Sequence, residues 1–371
     1  MSTITKIHKN IVYIARASVP SASTNSVHIA KISEAFAQIS DKFALIVYQN
    51  DESVDIGEYY GLRQSFNVYE VKDKGRGRLS QILWARAAVK KAVSFSADHI
   101  VTRDPFTALI AVLKGIDATL DLHGDITHLV GRFYRIMKWK PFIDNPRLHL
   151  VMISQGLKDF YVEKYGVKPD RIMVLPDACN LDDFKVVSER ELSLTADRLK
   201  LGYFGKTLIG KGIDLIRRLA EIDPDNDYEI YGNTKEAAEK ETGKPFSENV
   251  HFHGHVKNAE IPALMCEMDI LLLPNQDKLM VMGEDIGKFT SPLKLFEYMA
   301  SKRVIIASDL PIIREVLDAD NAYLADSTDE KAWKRCVDEI VHNSKDAICK
   351  AQRAGEDVQK YTWLERASKM V

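Results

Sequence analysis

Cysteine is scarce in this chain and shows no pairing pattern. Cys179, Cys266, Cys336 and Cys349 are the four among 371 residues. They have no CxxC spacing and form no dense framework, which excludes a disulfide scaffold and fits reduced thiols of a cytoplasmic protein. Long apolar runs are missing too. No stretch approaches 18 apolar residues, so a membrane-spanning helix is excluded. The first apolar run, in MSTITKIHKNIVYIAR, is broken by Arg16 and followed by no small-residue cleavage site. It is expected to be a first strand, not a signal peptide. Neither sign of charge dominates, with 51 Lys+Arg against 53 Asp+Glu and a net charge of −2. That balance excludes a dedicated nucleic-acid binder. Low-complexity segments and short repeats are absent, and 46% hydrophobic with 28% charged residues excludes a mostly disordered chain.

What is present is a chain too long for one compact core, for which two domains are the expectation. The near-zero charge hides an asymmetry: residues 1–185 carry 25 basic and 20 acidic side chains, and residues 186–371 carry 26 and 33. Two domains meeting different partners would produce such a split. Short β-branched runs alternate with helix-period segments throughout. Strands are expected at 10–16, 43–48, 67–71, 99–102, 118–123, 148–154 and 171–175, and again at 199–204, 228–231, 250–253, 269–273, 304–307 and 322–324. Helical patterns lie between them, for example at 27–40 and 79–95. Such alternation predicts α/β architecture, with parallel sheets covered by helices on both faces. Two sets in series predict two doubly wound, Rossmann-like domains. The expected division is 1–180, a polar linker at 181–197, a second domain at 198–345, and terminal helices at 346–371 that return to the first domain with the Tyr361-Thr362-Trp363 cluster.

Open α/β sheets bind ligands beyond the carboxyl ends of their strands. The loop Gly205-Lys206-Thr-Leu-Ile-Gly-Lys211-Gly212 follows one expected strand and opens a helix near Lys211. Glycines let the backbone approach an anion, a helix N-terminus offers N–H groups, and two lysines add charge. Its spacing matches neither a Walker A loop nor GxGxxG, so an ordinary glycine-rich turn with solvated lysines is the competing reading. A second loop ends in Phe289-Thr290-Ser291-Pro292-Leu293-Lys294-Leu295-Phe296-Glu297-Tyr298-Met299-Ala300. Thr290 or Ser291 suits an N-cap and Pro292 the first helical position. Glu297 can accept hydrogen bonds from ribose hydroxyls, or it forms a surface pair with Lys294.

These residues resemble the retaining glycosyltransferases of family 4, which have the GT-B fold of two Rossmann-like domains with an interdomain cleft. GYFGKTLIGKGIDLI, VHFHGHV, DILLLP and SPLKLFEYMASKRVIIASDLPIIREVL are similar, in order, to its donor-binding elements over roughly residues 198–318. A subset of bacterial surface-polysaccharide transferases has a similar SPxKxxEYMA segment. The resemblance implies that Lys206 and Lys211 hold the donor diphosphate beside Gly205 and serve the chemistry. Glu297 would bind ribose, main-chain groups at His255 and Val256 would meet the base, and Thr290, Ser291, Pro292 and Leu293 would meet phosphate or sugar. Two positions depart from the family: Lys206 stands where arginine is usual, and Phe289 stands where the first Glu of a Glu-x7-Glu pair is usual. Glu284 or Asp285 could replace that carboxylate at the sugar.

In the first half, His123 of Asp121-Leu-His123-Gly124 matches a family histidine near the transferred sugar, and a histidine bonded within its own turn is the alternative. Arg103 and the hydroxyl-rich loop containing Ser23, Thr24 and Asn25 are candidate acceptor contacts. The basic, aromatic segment 129–140 either packs as an ordinary amphipathic helix or lies on an anionic membrane at its cytoplasmic face. The basic run 72–78 is either solvated or near lipid. The resemblance therefore implies a metal-independent, retaining hexosyltransferase without a cofactor. It would move sugar from a UDP- or GDP-sugar to a hydroxyl of a glycan or lipid-linked acceptor, in lipopolysaccharide, capsule or other surface-polysaccharide synthesis. Asp223-Pro-Asp225 and Asp318-Ala-Asp320 spell DxD, but the first is a turn before an expected strand and the second follows an expected helix, and no metal is expected there. Other readings are a sugar-nucleotide epimerase of the same fold, or a non-catalytic donor-binding subunit of a glycan assembly complex.

Overall fold

Both sheets are wholly parallel, as the strand–helix alternation requires. The computed structural model describes residues 6–72, 75, 77–125, 138–185, 187, 191–206, 208–281 and 284–371. The chain divides into two units, residues 1–176 with 363–371, and residues 177–362.

The first unit contains β1 (Ile7–Val19), β2 (Ser40–Asn50), β3 (Asn67–Glu70), β4 (His99–Thr102), β5 (Asp117–Leu122), β6 (Leu148–Met152) and β7 (Ile172–Val174). Their order across the sheet is β3-β2-β1-β4-β5-β6-β7. The second unit contains β8 (Lys200–Phe204), β9 (Asp227–Tyr231), β10 (Val250–Gly254), β11 (Ile270–Leu273), a small hairpin of β12 (Met280–Val281) and β13 (Glu284–Asp285), then β14 (Val304–Ser308) and β15 (Tyr323–Ala325). Its main sheet runs β10-β9-β8-β11-β14-β15. In each sheet the order reverses at one place, between β1 and β4 and between β8 and β11. A crevice opens at such a reversal because the helices on either side lie on opposite faces.

Period-two burial explains why both faces of the second sheet are covered. Leu201, Tyr203, Tyr228, Ile230, Ile270, Leu272, Val304 and Ile306 pack into one core with Trp333. The intervening Phe204, Tyr231, Leu271, Leu273, Ile305 and Ala307 pack into another with Phe296 and Met299. Strands buried on both faces have continuous apolar runs such as ILLL, not alternation.

Helix starts follow local chemistry. Ser23 caps Thr24–Ile39 by accepting from Ser26 N, and Asp104 caps Pro105–Leu113 by accepting from Thr107 N, with proline in the first turn. The expected linker 181–197 is in fact part of the second unit, where Phe184 and Leu194 are buried in its cores. Of the terminal segment 346–371, only the last helix, Trp363–Met370, belongs with the first unit. The helix Ser344–Asp357 stays with the second, where Ala347, Ala351 and Ala354 pack into its cores. Both DxD spellings are structural turns: buried Asp223 accepts from Asn226 Nδ2 and the Tyr228 hydroxyl, and Asp318 accepts from Asp320 N. No helix among the described residues is long and apolar enough to cross a membrane.

Candidate functional site

At the β8/β11 reversal, two loops are tied together by their backbones. Gln276 N of the β11 loop donates to Gly210 O of the β8 loop at 3.0 Å, and within the β8 loop Lys211 N donates to Leu208 O at 2.9 Å. Gly212 lies so close to Pro274 that a Cβ there would be 1.9 Å from the Pro274 carbonyl oxygen, and its φ of +81° is in the left-handed region. The helix Ile213–Ile222 begins immediately after it, two residues later than the expected start at Lys211. Gly212 caps it with no side chain, leaving the first-turn N–H groups to other acceptors. Burial holds the Lys211 ammonium below its ordinary value. Lys206 is exposed, and its carbonyl accepts from the Tyr203 hydroxyl at 2.9 Å.

The second helix, Leu293–Ser301, starts at Pro292 and not at the expected Thr290 or Ser291 cap. The reason is that both hydroxyls are engaged elsewhere: Ser291 Oγ accepts from Asp177 N, and Thr290 Oγ1 donates to Ile286 O. Its N-terminus again carries no side-chain cap. Tyr298, one residue after Glu297, reaches across so that its hydroxyl accepts from Phe204 N at 3.0 Å. The EYM segment thus anchors the end of β8, a role the sequence reading did not assign. Glu297 is half-buried and lies in the electrostatic field of Lys294. The expected surface pairing of these two does not occur, because Lys294 points inward, with Nζ 3.9 Å from the centroid of the Tyr203 ring.

The proposed substitute carboxylates fare differently. Asp285 Oδ1 accepts from Leu279 N and Gly287 N, each at 3.0 Å, so it shapes the hairpin turn. The Glu284 side chain lies outside the described residues. His255 is exposed and Val256 packs partly into the core after β10. A ladder of rings was not anticipated: Phe204 stacks on Tyr231 at 4.6 Å, and Tyr231 stacks on His253 at 4.4 Å. These rings sit at or near the carboxyl ends of three adjacent strands, a pattern visible only once the strand order is known.

In the first unit the candidate residues converge on Asp121, buried at the end of β5. Arg366, from the final helix, donates to Asp121 Oδ1 at 2.8 Å, with both side chains almost fully buried. His123 Nε2 lies 3.1 Å from Asp121 Oδ2, and Arg103 Nε lies 3.7 Å from the same oxygen. Burial would raise the Asp121 carboxyl, but Arg366, His123 and Arg103 outweigh it and hold the group well below the usual carboxylate range. Burial, then Arg103, pushes His123 down to about 3. At neutral pH the pair is therefore carboxylate and neutral imidazole. An ionised carboxylate only accepts, so the imidazole proton must sit on Nε2 and Nδ1 is left as an acceptor. His28 packs edge-on between His123 and Trp363.

Arg103 donates from Nη1 to Asn25 Oδ1, in the loop 78 positions before it, at 2.5 Å. Ser23 is the helix cap, and Thr24 opens the helix on the exposed side. Residues 129–137 of the segment 129–140, and Asp73, Lys74 and Arg76 of the basic run 72–78, lie outside the described residues; Trp139 is exposed. His28, Asp121 and His123 place their ligating atoms within 4.8 Å of one another. Two guanidinium groups beside that trio give it a positive sum and occupy the carboxylate, which opposes a divalent cation.

Residues 199–343 match the family model described as "Glycosyl transferases group 1". No curated protein matches the chain significantly in sequence. Among solved structures, a glycosyltransferase from Rickettsia africae is 12% identical with a TM-score of 0.75, over 98% of this chain and 97% of that one. Anabaena HepE in complex with UDP and glucose is 14% identical with a TM-score of 0.71, over 98% of each chain. WaaG, a glycosyltransferase involved in lipopolysaccharide biosynthesis, is 14% identical with a TM-score of 0.64, over 96% of this chain and 98% of that one. The likeness is one of fold: two parallel-sheet, Rossmann-like domains as in GT-B glycosyltransferases.

Proposed function

We propose that this chain is a metal-independent glycosyltransferase that moves a hexose from a UDP- or GDP-sugar to a hydroxyl of a glycan or lipid-linked acceptor. Anomeric configuration is retained, and the product belongs to a surface polysaccharide such as lipopolysaccharide or capsule. The work takes place at the cytoplasmic face of the membrane. One observation carries the reading: within the segment that matches the family model, the β8 and β11 loops are bonded together at the strand-order reversal. They bring Lys211 and two helix N-termini with no side-chain cap to the end of one crevice. HepE, of like fold, has a crystal structure in complex with UDP and glucose.

In this reading the departing diphosphate develops negative charge as the glycosidic bond breaks. Lys206, Lys211 and the first-turn N–H groups at Ile213 and Leu293 stabilise that charge before it forms, so little reorganisation is needed. Glu297 accepts from ribose hydroxyls, and main chain at Val256 meets the base. Neutral His123, oriented by Asp121, accepts a hydrogen bond from a sugar hydroxyl at Nδ1, while Arg103, Asn25 and the Ser23–Thr24 loop bind acceptor. An oxygen of the departing diphosphate takes the proton of the acceptor hydroxyl as the new glycosidic bond forms. Lys211→Ala removes a charge-assisted contact worth about 1.5–3 kcal/mol, so affinity for UDP or GDP should fall by at least tenfold in a calorimetric titration. Unchanged affinity would remove Lys211 from the diphosphate seat.

Phe289 favours a second reading, a donor-binding subunit without catalysis, because no carboxylate stands at that position. The two readings part on turnover: a binding subunit would bind nucleotide sugar with no release of nucleotide.

A further inference from the structure

Lys294 is a cation turned inward in a helix whose buried positions are otherwise uncharged. It comes two residues after the Pro292 cap, and its Nζ is closed off from solvent with no hydrogen-bond acceptor among the described residues. The ammonium lies over the Tyr203 ring and within 3.7 Å of where a Cβ on Gly205 would stand. Gly205, with φ of +148°, puts no Cβ of its own against that nitrogen. Burial and then Lys211 hold its basicity well below the ordinary value, with only Glu297 acting the other way. Bringing two lysines together inside one crevice, one of them without an acceptor, costs stability in the empty chain. An anion of two or more charges would reverse that cost.

We propose that Lys294 is a third cation of the donor diphosphate seat, held against Tyr203 in the empty chain and drawn onto the phosphates when donor binds. The inference rests on the donor reading above and adds a residue to it. Lysine suits the task because its flexible stem carries a point charge that can change position without disturbing the helix. The Tyr203 hydroxyl, by holding the Lys206 carbonyl, keeps the β8 loop above this store. The contact would be with phosphate alone, so it should be indifferent to the base.

The test is calorimetric titration of the full chain and of its Lys294→Met variant with UDP, GDP, uridine, guanosine and inorganic pyrophosphate, beside melting curves without ligand. Lys294→Met should weaken the preferred nucleoside diphosphate and pyrophosphate by roughly tenfold or more, leave the matching nucleoside within about twofold, and not lower the melting temperature. Equal loss for nucleoside and diphosphate, or no loss for either, would overturn the inference while leaving the donor reading intact. A Lys294→Met chain that melts early or does not fold would make Lys294 a structural group and overturn it as well. A wild-type chain that binds none of the five ligands would bring down the donor reading, and this inference with it.

Discussion

Replacing Asp121 with alanine should destabilise the first unit by about 3–5 kcal/mol, the usual result of removing one partner from a buried ion pair. The physical reason is the charge left behind. Arg366 is 3% exposed and Arg103 is 23% exposed at the side chain, so neither guanidinium can recover full hydration. Arg366 would keep its bond to the Pro176 carbonyl at 3.0 Å but lose the buried Asp121 carboxylate that it meets at 2.8 Å. The final helix should therefore loosen first, and amide exchange should accelerate across 363–370 before the β-sheet is affected. Pairing Asp121→Leu with Arg366→Met should recover part of the loss, since the two most deeply buried charges then leave together while Arg103 remains. Urea unfolding of the wild type and of these two variants checks this. A cost below about 1 kcal/mol for Asp121→Ala, within the range of an exposed pair, would show that the carboxylate is not holding the final helix.

Gly212→Ala should be the most damaging single methyl addition in the second unit. A left-handed φ costs a non-glycine residue about 1–2 kcal/mol, and the new Cβ would stand 1.9 Å from the Pro274 oxygen and 2.7 Å from the Pro274 carbonyl carbon. Backbone cannot step aside like a long side chain, so the β8 and β11 loops must part, adding about 1–3 kcal/mol of overpacking strain or more. Gly243 is the matched control. Its φ of +68° carries the same backbone strain, yet nothing lies within 4 Å of a Cβ there. Gly243→Ala should lose only the conformational part and keep nucleotide affinity, while Gly212→Ala should lose both stability and binding. Equal melting temperatures for the two variants would refute the close packing of the two loops as the source of the effect.

The α/β class was legible because parallel strands buried on both faces must be short and apolar, and helices must fill the intervals. Segments such as ILLL and VIIAS can hardly be anything else in a chain with caps and turns around them. The phosphate-facing loops were legible for a related reason, since glycine and lysine beside a strand end serve few purposes. What escaped were interactions fixed by strand order and not by sequence neighbours. Ser291 looked like a cap and instead receives a hydrogen bond from Asp177, 114 positions away. Lys294 looked like half of a surface pair, because spacing along a helix says which residues share a face and not which face meets the sheet. Arg366, 245 positions from Asp121, has no local signal at all. Charge summed over each half was a poor guide to the site: the acidic half contains the three lysines assigned to an anion.

The most direct test of the account is release of nucleotide diphosphate from a panel of UDP- and GDP-sugars, measured with wild-type chain and with Lys211→Ala, with and without glycan acceptors. The account predicts that one nucleotide sugar is consumed, that an acceptor hydroxyl accelerates its consumption, and that Lys211→Ala slows it by at least tenfold. Tight binding of a nucleotide sugar with no turnover under any acceptor would contradict catalysis, and absence of binding across the whole panel would contradict the donor seat itself.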